Sequence, residues 1–139
     1  MKSKETEMTI IITPLQRAFE SLHKALKRAI DNPEDLEVRD GCIQRFEYTY
    51  ELCVKFLKRY IEEESPITEN IDQVNFRDLL RISAEIGLIQ EVNHWFAFRA
   101  ARNNTSHVYN EITAKEVFSI IPQFAVQAQF LIDSLKKRV

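Results

Sequence analysis

Apolar residues recur along this chain at alternating spacings of three and four, the pattern of helices that each bury one face. Leu15, Phe19, Leu22, Leu26 and Ile30 form the first stripe. It predicts a helix over 13–31, opened by a Thr13–Gln16 capping box with Pro14 at the first helical position, and stopped by Asp31-Asn32-Pro33. Ile43, Phe46, Tyr50, Cys53, Leu57 and Tyr60 form the second, predicting a helix over 38–63 or from Leu36. Along it Glu51–Lys55, Lys58–Glu62 and Arg59–Glu63 are opposite charges four residues apart. A main loop follows at 64–73. Helices are then predicted over 74–86, with Gly87 just past its end, and over 89–103, with Val92, Trp95, Phe96 and Arg99 facing inward. The last, over 113–137, opens on a Thr113–Glu116 capping box and carries Val117, Ile120, Phe124, Ala128, Leu131 and Leu135. Pro122 should kink it. Residues 1–12 read as a loosely ordered lead-in to one domain, 13–139. The expected fold is all-α: an antiparallel up-down helical bundle of four to five helices.

Composition narrows the function. Only two glycines, Gly41 and Gly87, occur in 139 residues. That excludes a glycine-rich phosphate loop and, with four prolines, leaves too few turn residues for a β-sandwich. Gly41 costs its helix about 1 kcal/mol against alanine; it permits a close helix contact or marks a late helix start. The net charge is −2, so any contact with nucleic acid must come from a local patch. Cys42 and Cys53 would lie about 16 Å apart on one helix, too far for a disulfide, and read as reduced core thiols. No apolar run is long enough to span a membrane and no leader pattern is present, so a cytoplasmic protein is expected.

The histidines, His23, His94 and His107, lack metal-ligand spacing, and no metal site or cofactor is expected. The informative stretch lies between Glu91 and Glu111. It holds no carboxylate but two arginines, Arg99 and Arg102, and two histidines. Arg102 closes the fourth predicted helix and His107 follows five residues later. A guanidinium fork can hold a phosphate, and imidazole is the side chain that moves a proton near neutral pH. Together they are a minimum for RNA cleavage without a metal: the imidazole serves the 2′-hydroxyl or the leaving 5′-oxygen, and the arginine offsets charge on the phosphorane. The plainer alternative has Arg102 capping its helix and His107 packed in a loop. A second constellation is Arg39–Leu52, RDGCIQRFEYTYEL. Gln44, Glu47 and Glu51 share a helix face there. Two carboxylates four apart repel by roughly 0.2–0.5 kcal/mol, which suits a face meeting Arg99 or Arg102 better than an open one; a solvated charged face is the alternative. Arg45, in the same stretch, is grouped with these supporting residues.

Arg39–Leu52 together with Arg102–Glu111, RNNTSHVYNE, resembles the nucleotidyltransferase substrate-binding protein family of the HEPN superfamily. The second motif matches that superfamily's Arg, four to six residues, then His, with Asn103 as the polar residue after the arginine. It continues as His-x-Tyr through His107-Val108-Tyr109. The resemblance spans roughly residues 13–137. It implies a bundle that forms a homodimer, with the Arg–His motifs of two subunits facing one cleft. It also implies a partner, a minimal nucleotidyltransferase encoded nearby. In toxin–antitoxin versions the HEPN subunit is a ribonuclease, with Arg102, Asn103 and His107 here as its catalytic residues. The partner silences it by transferring AMP to the tyrosine, here Tyr109. In an extended chain His107 and Tyr109 would point to one side.

Three functions compete on this reading. The first is a metal-independent endoribonuclease toxin. The second is a non-catalytic subunit that presents substrate to a nucleotidyltransferase, gripping a nucleotide or phosphate with the same residues. The third is a plain helical interaction protein, which the intact motif argues against. An aromatic face including Tyr48 and Phe98 is expected to be left for a partner to cover.

Overall fold

The computed structural model describes residues 11–64 and 73–138, so the expected lead-in (but for Ile11 and Ile12) and most of the expected main loop lie outside the described residues. Five α-helices occur among them: α1 (Thr13–Asp31), α2 (Leu36–Glu64), α3 (Phe76–Glu85), α4 (Val92–Asn103) and α5 (Glu111–Arg138). A single 3-10 turn, Thr105–His107, joins the last two. The described residues contain no strand, and the expected all-α bundle is what the chain forms.

The helix ends correct four details. α1 has no side-chain cap: Ile12 is its N-cap residue, its carbonyl accepting the Gln16 N–H at 2.9 Å, and Thr13 lies inside the helix. At α5 the cap is Asn110, whose Oδ1 accepts the Thr113 N–H at 3.1 Å, so the helix begins two residues before Thr113. α3 is shorter than expected because Asn75 caps it, accepting the Asp78 N–H at 2.8 Å. Its other end is the glycine stop read from the sequence. Gly87 takes φ +84°, its N–H donates to Ala84, and the Leu88 N–H donates to Ser83 at 2.9 Å. That turn buries Leu88 and Ile89 in the core, so α4 starts at Val92 rather than at 89.

α2 is the central post, touching the four other helices, and α5 packs along α1, α2 and α4. Every residue of the predicted α2 seam is buried. An aromatic cluster ties α2, α4 and α5: Phe124 meets Phe46 at 5.0 Å and Phe98 at 5.1 Å between ring centroids, and Trp95 meets Phe98 at 5.2 Å, each edge to face. This cluster fixes the roll of α4. Its buried side is Trp95, as expected, with Phe98 and Ala101; the expected Val92 and Phe96 are half-buried against the core, and Arg99 is exposed. Phe98 is therefore core, not a face for a partner. Tyr48 is 38% exposed, its hydroxyl 3.1 Å from Ser21 Oγ. Ile30, placed on the first stripe, is exposed; Ala29 takes the buried position. α5 runs unbroken through Pro122. Cys42 and Cys53 are buried free thiols, and burial pushes the Cys42 thiol up to about 12. Among the described residues no helix is long and apolar enough to cross a membrane.

Candidate functional site

Arg102 occupies the last turn of α4, and the chain around it is capped without its help. The Thr105 hydroxyl donates to the Arg102 carbonyl at 2.9 Å, and the Asn104 N–H donates to Ala101 at 3.0 Å. The guanidinium is thus released from capping and reaches across to α2. Nε donates to Glu51 Oε2 at 2.8 Å and a terminal nitrogen donates to the same oxygen. The other terminal nitrogen stands 3.6 Å from Glu47, too far for a good hydrogen bond. Glu51 raises the Arg102 pKa above its ordinary value, chiefly by this hydrogen bond. The pairing of Glu47 and Glu51 with an arginine of α4, read from their i,i+4 spacing, is what forms. Glu51 turns to Arg102 rather than to Lys55, and of the three expected pairs along α2 Arg59–Glu63 is made, at 3.7 Å.

His107 ends the 3-10 turn, and its side chain is exposed. The backbone there is turned, not extended, because the His107 N–H donates to Asn104 and the Asn110 N–H donates to the His107 carbonyl. The expected extended geometry is therefore absent, yet the rings still meet: His107 and Tyr109 lie edge to face, centroids 6.2 Å apart. Tyr109 is 86% exposed. The turn is anchored from below by a bridge that the sequence pattern did not single out. Arg39, at the start of α2 and almost buried, donates to Glu111 at 2.6 Å and also contacts Asp40. The Arg39 hydrogen bond holds the Glu111 carboxyl below its usual range.

A cleft of about 380 Å³ opens beside Arg102 between α2, α3 and α4. Arg99, Arg102, Asn103, Glu51 and Lys58 line it, with Tyr50, Val54, Val74, Phe76 and Leu79 as its apolar part. Arg99 is not inward as expected; its guanidinium carbon sits 4.5 Å from the Phe76 ring centroid. His107 and Tyr109 lie on the adjoining turn, outside this lining. Gln44 is exposed on the α2 surface. Arg45 is elsewhere: it donates to Ser21 Oγ and to the Gly41 carbonyl, both at 3.0 Å, beside a second cleft between α1 and the start of α2. A Cβ at Gly41 would meet the Arg45 side chain rather than another helix. Lys58 and Phe76 were missed as cleft residues; Lys58 lies seven positions beyond Glu51, two turns along the same face of α2, which is the signal that finds it.

Fold and site together define a helical bundle that presents a cationic cleft and an exposed His–Tyr turn at one helix end. The chain matches the family described as nucleotidyltransferase substrate binding protein like over residues 11–137, and it belongs to that family. It is 36% identical over 132 residues to a probable ribonuclease HepT of Haemophilus influenzae, covering 89% of this chain and 90% of the relative. A solved Haemophilus influenzae structure, described as the fold of a substrate binding domain of a nucleotidyltransferase, superposes with a TM-score of 0.85 at 31% identity, covering 91% of this chain and 99% of the other. A solved Thermus thermophilus protein matches with a TM-score of 0.74 at 27% identity, covering 87% and 98%. The family read from the two motifs is thus the family found.

Proposed function

We infer that this chain is the HEPN-type subunit of a two-component, toxin–antitoxin-like system and a metal-independent endoribonuclease, neutralised by a nucleotidyltransferase partner. One observation carries the reading. Arg102 is freed from helix capping and held by Glu51, while His107 stands exposed on the turn that follows. The kinship to a probable ribonuclease supports it. In the reaction the 2′-oxygen attacks the adjacent phosphorus, losing its proton to an imidazole, and the 5′-oxygen leaves with a proton from an acid. The products carry a 2′,3′-cyclic phosphate and a 5′-hydroxyl. Arg102 offsets the charge gained by the phosphorane, and Asn103 supplies a neutral donor beside it. Glu51 fixes the guanidinium.

One His107 per chain serves one of the two proton transfers, so a symmetric homodimer supplies the second imidazole. Light scattering at tens of micromolar should give twice the chain mass; a monomer would leave the acid unassigned. The alternative function, a non-catalytic substrate-binding subunit, is favoured by the family's description and by the fold shared with a nucleotidyltransferase domain. Expression of the chain alone separates the two. Growth arrest with RNA decay, abolished by His107→Ala, supports the nuclease; healthy cells with intact RNA support the substrate-binding subunit.

A further inference from the structure

The cleft between α2, α3 and α4 has a composition that the Arg–His pair does not account for. Its walls hold three cations, Lys58, Arg99 and Arg102, against one carboxylate, Glu51, on a chain whose net charge is −2. Its volume, about 380 Å³, is in the range of small-ligand sites. The Glu51 oxygen is already taken by Arg102. Lys58, assigned to Glu62 by spacing, makes no ion pair among the described residues. Arg99 is tied to Phe76 and is otherwise exposed. Phe76 is itself braced edge to face by Phe96 at 5.9 Å. The second cleft, by contrast, sets Lys24, Arg28 and Arg45 against Asp35 and Glu37 and has no aromatic lining.

Cations on the rim and an aromatic, apolar floor are what a nucleotide asks for: the phosphate meets Lys or Arg, and the base lies against a ring or a guanidinium. We propose that this cleft is a one-nucleotide subsite for single-stranded RNA beside the scissile phosphate, with Lys58 gripping the flanking phosphate and Arg99 on Phe76 facing the base. The proposal rests on the nuclease reading for its link to cleavage, but binding can be tested without it. A base inside a duplex cannot enter such a cleft, so the substrate class is unpaired RNA.

The test uses a fluorescein-labelled 2′-O-methyl oligoribonucleotide of about eight residues, which cannot be cut because the attacking hydroxyl is blocked. Anisotropy is read with the full chain, with Lys58→Ala, Lys58→Arg and Arg99→Ala, and with Lys24→Ala/Arg28→Ala in the other cleft. Circular dichroism confirms that each variant is folded. Lys58→Ala and Arg99→Ala should each weaken binding about tenfold. Lys58→Arg should restore it, and the variant of the other cleft should match wild type. The slope of log K against log salt should fall by about 0.7 in Lys58→Ala, one phosphate contact fewer on a single strand. A hairpin duplex of the same composition should bind at least tenfold more weakly. Unchanged binding in Lys58→Ala and Arg99→Ala would overturn the subsite, as would equal affinity for the duplex. Tight binding of free AMP with no binding of the strand would overturn it too, assigning the cleft to a mononucleotide. If the strand binds through Lys58 but wild type cuts no RNA, the subsite stands and the nuclease reading falls. If Lys58→Ala cuts and binds as wild type does, the nuclease reading stands and the subsite falls.

Discussion

Arg102 in the last turn of α4 is clasped by Glu51 in the middle of α2, its Nε 2.8 Å from the carboxylate oxygen. The contact spans two helices and joins the two sequence motifs. Its side chains are 31% and 52% exposed, so water screens it and it contributes less than about 1 kcal/mol to stability. On the proposed function its value is orientation. Arg102→Ala should lower the urea midpoint only slightly yet abolish RNA cleavage. Glu51→Gln should stay folded and lose activity in kcat more than in KM, because the guanidinium loses its fixed direction while its charge remains. A Glu51→Gln enzyme with unchanged kcat would show that the pairing is incidental.

The bridge from Arg39 to Glu111 predicts a pH effect. Glu111 has a folded pKa lowered by its hydrogen bond from Arg39. A group of that kind binds its proton more readily when unfolded. Its stabilising contribution is therefore full above the unfolded carboxylate pKa, about 4.3, and is lost as pH falls through the lower folded value. Denaturation followed from pH 7 down to pH 2 should show this loss, and Arg39→Gln should remove that part of it. Direct titration of Glu111 by NMR should give a higher pKa in Arg39→Gln than in wild type. An equal value would mean that the bridge does not persist in solution.

Much of the fold is legible in the sequence, and the misses lie where the local pattern offers more than one answer. The α2 seam is a pure three-four stripe, and every member is buried. Gly87 announced its own stop, since among the described residues no other takes a positive φ. Glu47 and Glu51 pointed to an arginine because two neighbouring carboxylates ask for a cation. α4 misled because it is apolar on more than one side: Phe96 and Phe98 compete for the core, and spacing alone cannot rank them. The core cluster around Phe124 chose Phe98, which turned Arg99 outward onto Phe76 and created the cleft. The capping boxes fail because another residue holds each N-cap position. At α5 the sequence offers two cap residues, and Asn110, itself a favoured one, takes the position and accepts the Thr113 N–H; at α1 Ile12 holds the position and Thr13 falls inside the helix.

On the proposed function, Tyr109 is the expected acceptor of AMP from a partner nucleotidyltransferase. The residue is 86% exposed and its ring lies beside His107. An AMP group there would add a negative phosphate and a base next to the turn, where they would compete for Arg102 and block an RNA strand. Co-expression with an adjacent nucleotidyltransferase, followed by intact-mass analysis, should show one or more added AMP units that disappear in Tyr109→Phe. A chain neutralised without added mass would mean inhibition by binding alone.

Cleavage of RNA by Arg102 and His107 without a metal is open to one decisive assay. The purified full chain is incubated with single-stranded RNA in excess EDTA, and the product ends are identified by mass. Cleavage leaving 2′,3′-cyclic phosphate and 5′-hydroxyl ends, absent in folded His107→Ala, is expected. Cleavage that EDTA abolishes and magnesium restores, or cleavage that His107→Ala retains in full, would refute the mechanism.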